Sequence, residues 1–402
     1  MTNTVNKESL ASLVICLKWR SEQAEHRDCY LARKANIWRD MFPPGMEQEL
    51  LGKGIGDRIR LSYAPGQALE DRKSSLVRTL QQPQFRPGSK DIEPRLGRFY
   101  PKGFLFNVAG IYPQNEYPFR VIGLDEESFE ADLNHPLAGK ELEVEVRILD
   151  VAEKMGDVGG RINVWVETAA EKGPGMQARY RNQPTDFHVA GGDEREDPSK
   201  DSLFYQAPRL VSHVDRQASW CIRQEYAGYL QQGSNVLDLM SSVQSHLPED
   251  RDLEVTGLGL NQAEMEHNPQ LQHRRIQDLN ERSELPFADG AFDAAVCSLS
   301  IEYLLNPDQV LAEMSRVLKP GGELLISLSN RWFPPKVTRF WLFLHEFERM
   351  GWVLDCLQRR SELEDFKTYS MRNWWRPQDD RRAGELPASD PVYVIRARKQ
   401  SG

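Results

Sequence analysis

The chain has 402 residues, 40% hydrophobic and 28% charged, with a net charge of −9. This is the composition of a globular protein of two or three domains, neither disordered nor fibrous, and no apolar run approaches the roughly 18 residues of a membrane helix. The acidic balance disfavours a general phosphate-backbone binder, which usually carries a concentrated basic face, while five scattered cysteines argue against a disulfide framework and for a reducing cytoplasm.

Residues 9–153 read as β-rich. Short β-branched or alternating segments fall at 9–16 (continuing to Trp19), 57–63, 104–112, 117–125, 128–133 and 141–151, separated by turn formers. A brief helix is expected within 45–57, where glycines stop it. The polar, proline-punctuated stretch 66–98 reads as a surface loop with one helical turn. The N-terminus shows no basic start leading into an apolar signal core. Residues 154–200 form a connector rich in Gly, Pro, Asp and Glu. Residues 188–200 read as a solvated linker, whereas Met176, Tyr180 and Phe187 are placed to pack onto a neighbouring domain.

From residue 201 onward, helix and strand alternate. A helix over 214–233 closes at Gly233, and strands follow at 235–239 and 254–260. Next come the helix "QAEMEHN", the strand "HRRIQDL", a strand at 292–300, a helix at 307–320, the turn Gly321-Gly322 and a strand at 323–330. Near-continuous apolar strands between amphipathic helices indicate a doubly wound, mostly parallel sheet covered on both faces. Its ligands bind at the carboxyl ends of the strands. In 330–358, Trp341, Leu344, His345 and Glu348 recur at helical spacing. A core or dimer-facing helix is favoured there over a membrane-surface helix. "NWWRP" (373–377) and "PVYVIRARK" (391–399) suggest a last strand.

The stretch "NVLDLMSSVQSHLP" (235–248) raises the functional question. Its first five residues read as a buried strand ending in a carboxylate, with a turn and a helix expected next. Nucleotide-binding α/β proteins make that turn from glycine, because only glycine lets the backbone approach a ligand closely. Here it is Met240-Ser241-Ser242-Val243-Gln244. The loop is either a re-lined cofactor pocket or the relic of one.

Downstream, "LPFADGAFDAAVCSLSIEYLLNPDQVLAEMSRVLKPGGELLISLSN" resembles the class I S-adenosylmethionine-dependent methyltransferases, over about residues 230–332. The resemblance implies a Rossmann-like fold with a last antiparallel strand, and roles for individual positions. Asp238 would orient the loop and contact the methionine end of the cofactor. Asp278 would receive the adenine amino group, with Leu279 beside the ring. Ser298 and Ser300 would border the methionine and sulfonium, with Glu302 and Tyr303 at the substrate mouth. Two departures stand out. The glycine loop is replaced, and the acid that ends the second strand and grips the ribose hydroxyls is Gly259. Asn261 could substitute with a neutral amide, while Met240, Ser241, Ser242 and helix-start amides hold the carboxylate end. His246, Leu247 and Pro248 would then shape the floor. "DLMSS…SHLP", with "FY..PRLV.H.D" at 204–215, resembles a variant branch of methyltransferase-like proteins. Residues 204–215 read either as packing at the start of a helix or as a cap that turns Arg209 or His213 toward substrate.

The N-terminal block resembles FKBP-type prolyl isomerases of the SlyD class. "DLNHPLAGKELEVEVRILDV" (132–151) is similar to the end of that domain, and "MEQELLGKGIGDRIRLSYAPGQAL" (46–69) to an earlier segment. "FLFNVAGIYPQNEYPFRVIGLDEESFEADL" is similar to its flap region. The resemblance implies an aromatic-lined proline cleft, yet Leu69 and Val144 stand where two cleft aromatics belong. Isomerase activity is therefore not expected. Trp19, Tyr30, Trp38 and Phe42 are aromatic but fit core positions. His135 reads as a turn stabiliser, and the eight histidines form no metal-binding cluster.

These readings predict an α+β FKBP-like domain (1–153), a linker (154–200) and an α/β methyltransferase-like domain (201–402). The expected activity is methyl transfer from S-adenosylmethionine to a small-molecule or protein acceptor, with Glu302 or His213 as general base. The alternative is a non-catalytic binding or chaperone protein that grips client polypeptides at the FKBP-like module. No metal, membrane or general nucleic-acid partner is expected.

Overall fold

A computed structural model describes residues 4–88, 92–153, 156 and 160–401, and the chain separates into two compact units. Residues 1–187 with Ser370–Trp374 form the first; His188–Tyr369 and Trp375–Gly402 form the second. The division falls between Phe187 and His188, inside the stretch expected to be a linker; of that stretch, 154, 155 and 157–159 lie outside the described residues.

The first unit has an antiparallel sheet in the order β3-β8-β1-β2. Its strands are β1 (Ser9–Arg20), β2 (Ala24–Asn36), β3 (Arg58–Tyr63) and β8 (Leu142–Glu153), and a short helix α1 (Met46–Leu50) precedes β3. The period-two pattern of β8 sends Val144, Val146 and Ile148 into the core. Glu143 and Glu145 between them reach Lys18 on β1, at 3.0 and 2.8 Å.

A second sheet, β4-β7-β6-β5, comprises β4 (Val77–Gln81), β5 (Phe99–Pro101), β6 (Pro118–Leu124) and β7 (Ser128–Asp132). The strand expected at 104–112 is instead a turn-rich loop, because Asn107 and Gly110 both take positive φ (56° and 79°). Its Leu105, Val108 and Ile111 still join the core of this sheet. The loop expected over 66–98 holds strand β4, and its residues 89–91 lie outside the described residues. A helix α2 (Trp165–Ala170) also forms within the expected connector.

β2 escaped the sequence reading because polar residues occupy buried positions. Asp28 is fully buried and accepts hydrogen bonds from Trp19 Nε1 (2.8 Å), Gln177 Nε2 (3.0 Å) and Ser370 Oγ (2.7 Å). Beside it the His26 ring stacks on Trp19, with centroids 3.9 Å apart. Cys16 and Cys29 face each other across β1 and β2 as a disulfide, a pairing that the scattered cysteines did not lead one to expect. Cys221, Cys297 and Cys356 are free and buried.

The second unit opens with α3 (Asp201–Phe204) and α4 (Arg216–Ala227). Asp215 caps α4 by accepting from the amides of Gln217 and Ala218 (2.9 and 3.0 Å). The helix stops at Gly228, five residues short of Gly233. Then come β9 (Asn235–Leu239), β10 (Glu254–Gly259), α5 (Gln262–Glu266), β11 (His273–Ile276), β12 (Phe292–Ser298), α6 (Pro307–Val317) and β13 (Leu318–Leu328). α7 (Arg339–Leu342), α8 (Glu346–Gln358), β14 (Leu363–Arg372, its last three residues counted with the first unit) and β15 (Val392–Lys399) complete the unit. The strand order is β11-β10-β9-β12-β13-β15-β14. β11, β10, β9, β12 and β13 are parallel neighbours and β15 is antiparallel to β13, so the order reverses between β9 and β12, where a doubly wound sheet opens a crevice.

The aromatic segment is core: Trp341, Leu344 and Phe347 are buried, and His345 caps α8 in a box with Glu348. No helix among the described residues is long and apolar enough to cross a membrane.

The helix expected after β9 is absent. Residues 240–253 are irregular, and Met240, His246 and Asp252 all take positive φ. The serines here bond side chain to side chain, offering an alternative to helical pairing. Pro248 further removes a backbone donor.

Candidate functional site

A cavity opens at the carboxyl ends of β9, β10 and β12. Asp238, Met240, Ser241 and Ser242 line it from β9 and the following loop, and Gly259 and Asn261 from the end of β10. Asp278, Leu279 and Ser298 line it from beyond β11 and from β12, and His213 reaches it from the segment before α4. Arg209, His246, Ser300 and Tyr303 line it as well, whereas Glu302, Leu247 and Pro248, also singled out from the sequence, do not.

Glu302 sits on a single 3-10 turn (Ile301–Tyr303), where Tyr303 and not Glu302 lines the cavity. Its carboxyl is buried, and its Oε2 has no hydrogen-bond partner among the described residues. Burial pushes its pKa up to about 7, opposed in part by the charge of Arg349. The expectation that Glu302 stands at the substrate mouth is therefore corrected.

Asp238 is the electrostatic centre of the floor. Both Ser241 Oγ (2.6 Å) and Ser245 Oγ (2.7 Å) donate to its Oδ2. Burial nevertheless raises its pKa to about 7, because desolvation outweighs the two hydroxyl donors. Asn268 Nδ2 ties the loop down by donating to Ser245 Oγ (2.8 Å) and the Ser242 carbonyl (3.0 Å). Beside it His246 Nδ1 meets Ser219 Oγ at 2.8 Å, and burial lowers the imidazole pKa to about 3. Tyr226 Oη lies 3.0 Å from Ser298 Oγ.

Gly259 has a steric explanation. A Cβ at this position would lie 2.2 Å from the Ser241 carbonyl oxygen, and one at Gly257 would lie 3.1 Å from Ser241 Oγ. The loop rests directly on β10, with the Ser241 amide donating to the Leu258 carbonyl at 2.8 Å. The strand end carries glycine because another backbone passes over it.

Asn261 is committed elsewhere. Its Oδ1 accepts from the Glu264 amide (3.1 Å) as the cap of α5, and its Nδ2 donates to the Tyr205 (2.8 Å) and Gln206 (3.3 Å) carbonyls. The carboxylate in this region is that of Glu264, which lines the cavity and which the sequence reading missed. Glu264 Oε2 accepts from Ser242 Oγ (2.6 Å) and Oε1 from the Arg209 amide (2.7 Å). The spacing Asn261-x-x-Glu264 looks like a capping box, which hid an acid pointing into the crevice.

On the opposite side, Asp278 Oδ1 accepts from the Asn280 amide (2.9 Å), and burial raises the Asp278 pKa. Asn280 in turn donates to Asp201 Oδ2 (2.8 Å) and the Tyr303 carbonyl (2.9 Å). The roof is aromatic: the Tyr205, Tyr303 and His213 rings all approach Phe333, His213 edge-on at 5.5 Å. Burial lowers the His213 pKa, the charge of Glu264 opposing and those of Arg331 and Arg209 adding.

Residues 241–326 match the family model described as a methyltransferase domain. The second unit carries a methyltransferase domain. Among curated relatives, a demethylmenaquinone methyltransferase of Renibacterium salmoninarum is 43% identical over 61 residues, 15% of this chain and 26% of that protein. The ubiquinone/menaquinone biosynthesis C-methyltransferase UbiE of Burkholderia cenocepacia is 30% identical over 95 residues, 23% of this chain and 38% of that protein. The chain thus spans well under half the length of either relative. Among solved structures, an S-adenosylmethionine dependent methyltransferase from Mesorhizobium loti aligns at 17% identity with a TM-score of 0.30. That alignment covers 45% of this chain and 98% of that one.

Proposed function

We propose that the second unit transfers a methyl group from S-adenosylmethionine to an acceptor held beneath the 204–213 segment. The observation that carries this reading is the cavity at the β9/β12 reversal, whose lining loop begins the matched methyltransferase segment. The donor set fits the cofactor chemically. Asp278 offers an acceptor for an exocyclic amine with Leu279 as an apolar flank. Glu264, not Asn261, offers a carboxylate to paired hydroxyls. Asp238 with Ser241 and Ser298 offers polar contacts for an amino-acid end. Bound there, the cofactor would supply an electrophilic methyl group on a sulfonium. The chain's own contribution is alignment, with neutral His213 able to take a proton from the acceptor.

Calorimetry on the full chain tests this. S-adenosylhomocysteine should bind, and Asp278→Ala should weaken it roughly ten- to a hundredfold by removing a charged hydrogen bond. No heat at millimolar ligand would defeat the reading. A second reading, a binding protein that no longer transfers, is favoured by one feature. Ser241 and Ser242 both donate their hydroxyl hydrogens to the protein's own carboxylates. Ligand binding without turnover on any acceptor would support it.

For the first unit we propose an FKBP-like accessory module that grips client polypeptides without isomerising proline. Leu69 and Val144 are buried among its core residues, and Trp19 is committed to Asp28. The location proposed from the cysteine count is cytoplasmic, and the Cys16–Cys29 pair argues against it.

A further inference from the structure

We infer that the methyl acceptor is an anion, whose carboxylate or phosphate group is held between Arg209 and Arg331 over the Phe333 ring. This rests on the methyl-transfer reading for the role of the bound molecule, but the anion site stands on its own geometry.

Both arginines line the cavity. The Arg209 guanidinium makes no ion pair among the described residues. It lies against aromatic faces, 4.3 Å from the Phe204 centroid and 5.2 Å from that of Phe333. Its Nη2 donates to the Phe204 carbonyl at 3.2 Å, whereas its buried Nη1 has no hydrogen-bond partner. A buried guanidinium N–H without an acceptor is costly, and an incoming oxyanion supplies the missing acceptor. Among the described residues, Arg331 makes an ion pair with Asp390 alone, at 3.5 Å. That carboxylate is already engaged at 2.6 Å by Arg376 and at 2.9 Å by the Asp215 amide, so Arg331 is its weakest claimant. Arg331 also lines the groove that adjoins the cavity, together with Arg216, Arg223 and Arg381 and with the carboxylates of Asp215, Asp379 and Asp380. His213 shares the Phe333 ring with Arg209, which places a neutral imidazole beside the anion subsite.

The test is calorimetric titration of the full chain with benzoate, inorganic phosphate and neutral benzamide, with and without S-adenosylhomocysteine. Arg209→Gln and Arg331→Gln are compared with wild type, and Arg209→Lys as the variant that keeps charge but loses the fork. An anion should bind, benzamide should bind at least about tenfold more weakly, and each Gln variant should lose roughly tenfold or more, the effect of one charged hydrogen bond. Arg209→Lys should recover part of the loss. A preference for benzoate identifies a carboxylate, and one for phosphate a phosphoryl group. Equal binding of benzamide and benzoate, no anion binding, or unchanged affinity in both Gln variants overturns the inference. Should Arg209→Gln melt early, Arg331→Gln, whose side chain is partly exposed, decides. Anion binding without any response to S-adenosylhomocysteine upholds the subsite and refutes methyl transfer; the converse leaves methyl transfer standing and removes the subsite.

Discussion

Replacing Asp238 by Asn should make the protein more stable at alkaline pH and leave it nearly unchanged at acid pH. The folded-state pKa of Asp238 is about 7 against an ordinary 3.8. Because the folded pKa is raised, the folded state keeps a proton that the unfolded chain releases. Stability from this group is full below pH 3.8 and is lost as pH rises to about 7. Each unit contributes about 1.4 kcal/mol, so wild type should lose about 3 kcal/mol through this residue between about pH 5 and about pH 8. Asn keeps the oxygen that accepts from Ser241 and Ser245 and does not titrate. The difference between variant and wild type should therefore grow by about 3 kcal/mol over that range, roughly 6–12 °C in melting temperature for a domain of this size. The buried histidines His26, His135 and His246 have lowered pKa values and oppose the trend in wild type, losing stability as pH falls below 6.5. They act alike in both proteins and cancel in the difference. Scanning calorimetry of the two proteins at the two pH values is sufficient. A difference that stays constant would show that Asp238 is already ionised in the folded state.

Gly259→Ala should lower the melting temperature of the second unit, costing about 1–3 kcal/mol, because the clash is with a backbone carbonyl and no side chain can swing away. Unchanged melting would mean that the loop does not rest on β10. A thiol count on denatured protein should give three without reductant and five with it, matching three free cysteines of five. Reduction should destabilise the first unit by about 3 kcal/mol, the effect of closing a loop of this length; five thiols without reductant would refute the pairing. In a proline-limited refolding assay the protein should not accelerate the slow phase, since Leu69 and Val144 are buried core residues. Acceleration like that of an ordinary FKBP would show that other residues build the cleft.

The second unit was legible where burial and chemistry agree. Strands β9, β10, β12 and β13 are apolar runs because both faces of the sheet are covered, and α6 presents an apolar stripe between polar positions. Where they disagree the sequence misleads. β2 goes unread because Asp28 is buried against Gln177 and Ser370, 149 and 342 residues away. The stretch 104–112 looks like a strand because its apolar residues face a core, although the backbone reaches that core through turns. Hydrophobic content reports what is buried; it does not by itself report the backbone conformation that buries it.

The site divides along the same line. The methyltransferase resemblance pointed to Asp238, Asp278 and Ser298, and the structure brings all three to the cavity lining. What the sequence concealed is how the chain manages without loop glycines. Close approach of two backbones requires that one of them lack a side chain, and here the bare chain is β10, where Gly257 and Gly259 receive Ser241. The Met-Ser-Ser loop and the glycines of "VTGLGLN" are therefore one feature, not two losses. With Gly259 occupied beneath the loop, the strand end has no room for an acid; the crevice carboxylate comes from Glu264, one turn into α5. Met240 keeps a positive φ of 56°, so the backbone retains the conformation that glycine favours while presenting a bulky side chain to the cavity. A loop held this way, its serines bonded to Asp238 and Glu264, is a defined lining and not a frayed one. Any ligand that takes those carboxylates must first compete with three internal hydroxyl donors, Ser241, Ser242 and Ser245.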